Sequence, residues 1–199
     1  ICVQGLGFVG FAMAIAVASA KNKEDNTPLY DVIGIDLDND YGRKKISDIN
    51  TGNFPIACND NQLKLAYKKS LQQGNFKASV DSEDFKLADI VIIDINLDVE
   101  INDISSKVDF SNLKKAIKIV GSQIKKDTLV IVETTVPPGT TENIIYPILE
   151  EELNKRFGLD CSPNLAHSYE RVMPGPNYLS SIINFWRVFA GINQQSSKK

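Results

Sequence analysis

Three glycines, Gly5, Gly7 and Gly10, fall within six positions of the stretch ICVQGLGFVGFAMAIAVASA, between an apolar strand-like run and an alanine-rich run. Glycine loses more backbone entropy on folding than any other residue, so this density needs a reason. A G-x-G-x-x-G turn between strand and helix supplies one. Its first glycine permits the bend, its second lets a diphosphate reach the main chain, and its third lets helix and strand touch. The N–H groups around Phe8, Val9 and Gly10 then face phosphate oxygens, assisted by the helix dipole. Such a site also needs an acid at the end of the next strand. DVIGIDLD provides Asp36, 36 − 10 = 26 positions beyond the third glycine, with the polar KNKEDNTPLY taking up the surplus. Its carboxylate is expected to accept hydrogen bonds from an adenosine ribose and to repel a 2′-phosphate, selecting NAD over NADP. Arg43 and Lys44 weaken that selection only if they turn inward.

A second group of reactive types lies in VIVETTVPPGTTENI. A strand ends at Glu133, and Thr134 and Thr135 follow at its carboxyl end, where open α/β sheets bind ligands. Val136-Pro137-Pro138-Gly139 then turns the chain into a helix for which Thr140 or Thr141 is the expected cap. By itself the stretch reads equally as a Pro-Gly turn with a hydroxyl cap. Glu170 and Arg171 read, on their own, as a solvated ion pair on a loop. The lone histidine, His167, reads as a packed strand residue rather than a catalytic one. Cys2, Cys58 and Cys161 show no C-x-x-C or Cys/His spacing, so neither a metal nor a disulfide framework is expected. None has a cationic or basic neighbour that would make it a nucleophile.

These groups need a scaffold. Strands are expected at Ile1–Gln4, Asp31–Asp36, Phe76–Val80, Ile90–Ile95, Leu129–Glu133 and Leu165–Ser168, with a last one near Val188–Ile192. Helices are expected at Val9–Lys21, Asp40–Asn50, Gln62–Gln72, Phe110–Ile124 and Thr141–Phe157. ADIVIIDI is almost continuously apolar, as a strand covered on both faces must be. The alternation implies an α/β, doubly wound, mostly parallel Rossmann-type sheet with helices on both faces. NLDVEINDISSKVD reads as a loop at the ligand end of the sheet. Of 199 residues, 22 are basic and 25 acidic, for a net charge of −3, so bulk charge gives no reason to expect a nucleic-acid partner. The longest apolar run, Val9 to Ala18, is too short to span a bilayer, and no basic region precedes it as in a secretory signal. A reducing, cytoplasmic setting fits the unpaired cysteines. The absent initiator Met and the polar NQQSSKK point to a piece of a longer polypeptide, with residues 1–193 as one domain and 194–199 as a tail.

GLGFVG, ETTVPPGTT and SYERVMPG occur in the order and spacing of the UDP-glucose/GDP-mannose dehydrogenase family, and the chain resembles that family's N-terminal, NAD-binding part. TGNFPI and VDFSNLKKA also match family patterns, so the resemblance runs along nearly the whole chain. The family oxidises the C6 alcohol of a nucleotide sugar to a carboxylate, using NAD twice and passing through an aldehyde and a cysteine thioester. The resemblance implies that Thr134 and Thr135 border the cofactor. It matches Thr135 and Glu170 to the threonine and glutamate that place water and polar groups around C6, and puts Arg171 and Val172 in the segment lining the sugar. It also implies a nucleophilic cysteine, the nucleotide-binding residues and a homodimer contact in further domains beyond this chain, which alone would not complete the reaction.

Two motifs depart from the family pattern. Ile95-Asn96-Leu97-Asp98 stands where the family has Val-Pro-Thr-Pro, putting the path and cofactor contacts of the loop over 96–108 in question. Tyr169 replaces the proline of Ser-Pro-Glu-Arg. Both changes mark a divergent subgroup, with UDP-N-acetylhexosamines, UDP-glucose and GDP-mannose all open as substrates. Other readings are a 3-hydroxyacid-type dehydrogenase domain, which shares the glycine turn and acid, and a non-catalytic dinucleotide-binding module.

Overall fold

The computed structural model describes residues 1–101 and 106–199. Six strands run parallel: β1 (Cys2–Gln4), β2 (Val32–Ile35), β3 (Phe76–Ser79), β4 (Ile90–Ile93), β7 (Leu129–Val132) and β8 (Asn164–His167). The sheet order is β3-β2-β1-β4-β7-β8-β9, with β9 (Ala190–Gly191) antiparallel on the outer edge. The chain starts in the middle and reverses direction beside β1, leaving a crevice above the carboxyl ends of β1 and β4. A separate antiparallel pair, β5 (Asp98–Ile101) and β6 (Ser106–Asp109), follows β4. This corrects the expectation of a plain loop there: Asp98, Val99 and Glu100 pair with Asp109, Val108 and Lys107. Residues 102–105, within the expected 96–108 loop, lie outside the described residues.

Strand periodicity divides the core. Val3, Val32 and Ile92 face α1 (Phe8–Ala18), α2 (Asp40–Asn50), α3 (Asn61–Gln73) and α6 (Tyr178–Asn184). Cys2, Ile33, Val91 and Ile93 face α4 (Ser111–Gln123) and α5 (Tyr146–Phe157). Period-two alternation thus gives every central strand two buried faces. Phe11, Phe54, Tyr67 and Phe76 pack edge to face around α1 and α3, with centroids 5.3–6.4 Å apart. The Tyr67 hydroxyl donates to the Ile49 carbonyl at 2.5 Å, tying α3 to α2.

Expected strands and helices shift by no more than a few residues at their ends, apart from the entry to α5. There Thr141–Ile145 winds as one π turn, with the Tyr146 N–H donating to the Thr141 carbonyl. Pro147 lies in the first turn of α5, where its missing N–H costs no hydrogen bond within the α-helix. Neither Thr140 nor Thr141 forms the expected hydroxyl cap. Within 194–199, Gln194–Lys198 form a short helix, α7, whose buried Ser196 hydroxyl accepts the Leu165 N–H. Among the described residues, no helix is long and apolar enough to cross a membrane.

Candidate functional site

The turn after β1 is built by close contacts. Gly5 has φ +94°, a conformation other residues rarely adopt, and a Cβ there would meet the Asp94 carbonyl oxygen at 2.3 Å. A Cβ on Gly10 would lie 1.9 Å from the Gly5 carbonyl oxygen. Gly7 differs, for a Cβ there would meet nothing within 4 Å. Its lack of a side chain keeps a space open above the turn rather than relieving a clash within the protein. The first turn of α1 closes with the Phe11 N–H on the Gly7 carbonyl at 3.1 Å. The N–H groups of Phe8, Val9 and Gly10 are then the ones a helix start leaves for an outside acceptor. No acidic side chain occupies that first turn. Phe8 stacks on Tyr178 at 4.9 Å, and the Tyr178 hydroxyl donates to the Phe8 carbonyl at 3.1 Å, so α6 holds the turn in place.

Asp36 sits just past β2, beside this turn. Its Oδ2 accepts the Leu6 N–H at 3.2 Å and its Oδ1 accepts the Leu37 N–H at 2.8 Å. Lys45 Nζ, from the second turn of α2, closes on Oδ2 at 2.7 Å, and both side chains are largely buried. Sequence reasoning singled out Arg43 and Lys44 but missed Lys45. Arg43 instead pairs with Asp38 at 2.6 Å on the surface. The missed signal was helical phase, since Lys45 neighbours the buried Ile46 and Ile49 on the inward side of α2. A cavity of about 330 Å³ opens beside Asp36, lined also by Ile35, Leu37, Val80, Ser82 and Phe85.

A second cavity, of about 590 Å³, lies across the crevice among the ends of β1, β4, β7 and β8. Gly7, Phe8 and Val9 form one wall, Thr134 to Pro137 another, and Glu170 a third. Thr134 is buried and its hydroxyl is spent internally. It accepts the Ile95 N–H at 3.0 Å and lies within bonding distance of the Ile93 and Ile95 carbonyls, pinning the loop after β4 to the end of β7. Thr135 is exposed on the wall. Glu170 lines the cavity while its Oε2 accepts the Val172 N–H at 2.9 Å. Arg171 and Val172 do not line it: Arg171 is exposed and Val172 packs against the α1 face of the core.

The floor holds a feature absent from the sequence reading. The pairing of Ile93 with Val132 continues into Asp94 and Glu133, two carboxyls side by side on the α1 and α6 face. Glu133 is buried and pairs through Oε1 with the Arg187 guanidinium, while Asp94 reaches the cavity. Burial, with the Glu133 charge adding to it, pushes the Asp94 carboxyl up to about 8. Burial raises Glu133 as well, opposed by Arg187.

Burial lowers His167 from its ordinary value, and its Nδ1 is shut from solvent without a partner among the described residues. Cys2 is buried beneath the sheet, its thiol pushed up to about 11, and Cys161 is buried too. Cys58 lines a separate cavity near Phe54, Lys64 and Pro174. Among the described residues, no three His, Cys, Asp or Glu side chains gather as metal ligands would.

The residues fit a dinucleotide: an open space above Gly7, helix N–H groups aimed into it, and an acid at the end of the neighbouring strand. The sequence matches, over residues 1–199, the family described as the UDP-glucose/GDP-mannose dehydrogenase family, NAD binding domain. It is 32% identical over 197 residues to a UDP-N-acetyl-D-mannosamine dehydrogenase of Pyrococcus horikoshii, covering 99% of this chain and 42% of that protein. The corresponding enzyme of Methanocaldococcus jannaschii is 30% identical over 198 residues, covering 100% of this chain and 40% of that one. The crystal structure of an NDP-N-acetyl-D-galactosaminuronic acid dehydrogenase from Methanosarcina mazei superposes with a TM-score of 0.85 at 31% identity, over 99% of this chain and 39% of that chain. The chain thus spans about 40% of the length of these curated relatives.

Proposed function

The chain belongs to the UDP-glucose/GDP-mannose dehydrogenase family as its NAD-binding domain, and from that premise we propose that it serves an NAD-dependent oxidation of the C6 alcohol of a nucleotide sugar to a uronate. The observation that carries the proposal is the open space above Gly7, which lines one cavity with Thr135 and Glu170, while Asp36 is bonded to the same turn through the Leu6 N–H. Phe8, Val9 and Gly10 N–H groups hold the diphosphate, and Asp36, oriented by Lys45, takes the adenosine ribose. NAD, when bound, supplies the hydride acceptor. Thr135 and Glu170, which line the cavity beside Gly7, place water and polar groups around the reacting carbon, and Glu170 is near enough to that space to orient a water. Val172 acts from behind this wall by fixing Glu170 through its N–H, and the exposed Arg171 beside it is free to meet the sugar. A UDP-N-acetylhexosamine is the favoured substrate, because the relatives at about 30% identity carry N-acetylhexosamine names.

The nucleophilic cysteine of the thioester step is not Cys2, Cys58 or Cys161. Two are buried, and among the described residues no lysine, arginine or histidine is bonded to the third. We place it, with the nucleotide-end contacts and a homodimer interface, in further domains of a cytoplasmic parent polypeptide. Residues 1–193 then form the cofactor domain and 194–199 lead onward. The test is NADH formation by the parent polypeptide with a panel of UDP- and GDP-sugars, beside calorimetry of NAD on the 199-residue chain. NAD binding to the chain without turnover, and uronate formation by the parent, is the expected pair of results. Absence of NAD binding, or parent activity only with a small 3-hydroxy acid, overturns the proposal.

A further inference from the structure

Two carboxyls and one guanidinium meet on the cavity floor, and the structure leaves their charges unbalanced. Glu133 Oε1 bonds Arg187, but Glu133 Oε2, Asp94 Oδ2 and Arg187 Nη2 are all shut from solvent without a hydrogen-bond partner among the described residues, and the two carboxyls face each other. Two orphaned acceptors on adjacent carboxyls are satisfied together by one proton shared between them. Glu133 keeps the anionic role because it faces Arg187, so the proton belongs chiefly to Asp94, the member that reaches the cavity. The other charged or titratable groups turned toward Asp94 are Glu170, after β8, and Tyr178, at the start of α6. His167 on β8 is biased toward its neutral form by burial, and α1, packed against Asp94 at Gly10, carries no titratable side chain.

The cavity is the half of the crevice opposite Asp36, where the nicotinamide end of a dinucleotide goes if the proposed function holds. Oxidised and reduced cofactor differ there by one positive charge on the ring. We propose that Asp94, by holding or releasing the proton it shares with Glu133, sets the chain's preference between oxidised and reduced dinucleotide. With the proton in place the floor is neutral and the two forms are distinguished weakly. Once it leaves, the added negative charge favours NAD⁺ over NADH. The value of about 8 for Asp94 puts the change near neutral pH. Two charges on the order of 10 Å apart, in an effective dielectric between about 20 and 80, change the ratio by about two- to fifteen-fold.

The experiment measures NAD⁺ affinity by calorimetry and NADH affinity by fluorescence on the 199-residue chain, from about pH 6 to about pH 9.5. The ratio of the two cancels any titration at the adenosine end. The Kd of NADH relative to that of NAD⁺ is expected to rise several-fold through pH ~8, to stay flat in Asp94→Asn, and in Glu133→Gln to rise at lower pH because Arg187 then faces Asp94 alone. A flat ratio in the unaltered chain, or the same slope in Asp94→Asn, overturns the inference while both nucleotides still bind. Binding of neither nucleotide at any pH instead defeats the dinucleotide reading itself, and this inference with it.

Discussion

Adding one methyl group at Gly7 and at Gly10 should separate the two uses of glycine in the turn. At Gly10 the new Cβ lies 1.9 Å from the Gly5 carbonyl oxygen and 2.9 Å from the Asp94 Cβ. The first atom is backbone, held by a residue at φ +94°, with its N–H bonded to the Ile35 carbonyl at 2.7 Å. It cannot rotate away, so α1 must move off the sheet. Gly10→Ala should cost about 1–3 kcal/mol, the scale of overpacking a tight core. For a chain of this size that lowers Tm by roughly 2–12 °C. At Gly7 the added methyl meets nothing within 4 Å, and φ −73° is open to alanine. Gly7→Ala should therefore leave stability within about 0.5 kcal/mol, yet place a methyl in the diphosphate's space and weaken NAD at least about ten-fold, or roughly 1.4 kcal/mol. Thermal melts and NAD calorimetry on both variants make the comparison. Unchanged NAD affinity in Gly7→Ala refutes the cradle, and an unshifted melt for Gly10→Ala refutes the rigid contact.

Asp36→Ala should weaken NAD by about 1–3 kcal/mol, the scale for losing hydrogen bonds to a charged group, and calorimetry giving wild-type affinity would show that the ribose lies elsewhere. Thr134→Val leaves the Ile95 N–H without its acceptor, so urea unfolding should show a loss of about 1–3 kcal/mol. No loss means the loop after β4 is held by other contacts. Asp94 holds its proton up to about 8 when folded, against an ordinary value of 3.8. Between those limits the folded chain keeps a proton that the unfolded chain gives up, so stability contributed by this group falls as pH rises and levels off above pH ~8. Asp94→Asn should flatten that slope in urea titrations repeated across the window. A parallel slope in the variant assigns it to another group. A thiol reagent at neutral pH should modify Cys58 well before Cys2, whose thiol stays protonated to about 11, and mass mapping that finds Cys2 first would contradict its burial.

Much of this chemistry is local in sequence, and for that reason the sequence alone determined it. The glycine turn, the alternating apolar strands and the stripe of α4 are fixed by neighbours within a few positions, because backbone sterics and side-chain periodicity act over that range. Asp36 was found the same way, by its place at a strand end. The pairing of β5 with β6 was not legible, for Asp98 and Asp109 meet only through a register that no periodicity announces. Lys45 was overlooked because its role depends on which face of α2 turns toward Asp36. Asp94 and Glu133 are 133 − 94 = 39 positions apart, and each by itself is an ordinary acid near the end of an apolar strand. Only the side-by-side alignment of β4 and β7 brings the two carboxyls together, and only burial against α1 and α6 makes them compete for one proton. Sequence fixes what each short segment can be, whereas charge coupling falls off with distance in space and must wait for the strands to be placed.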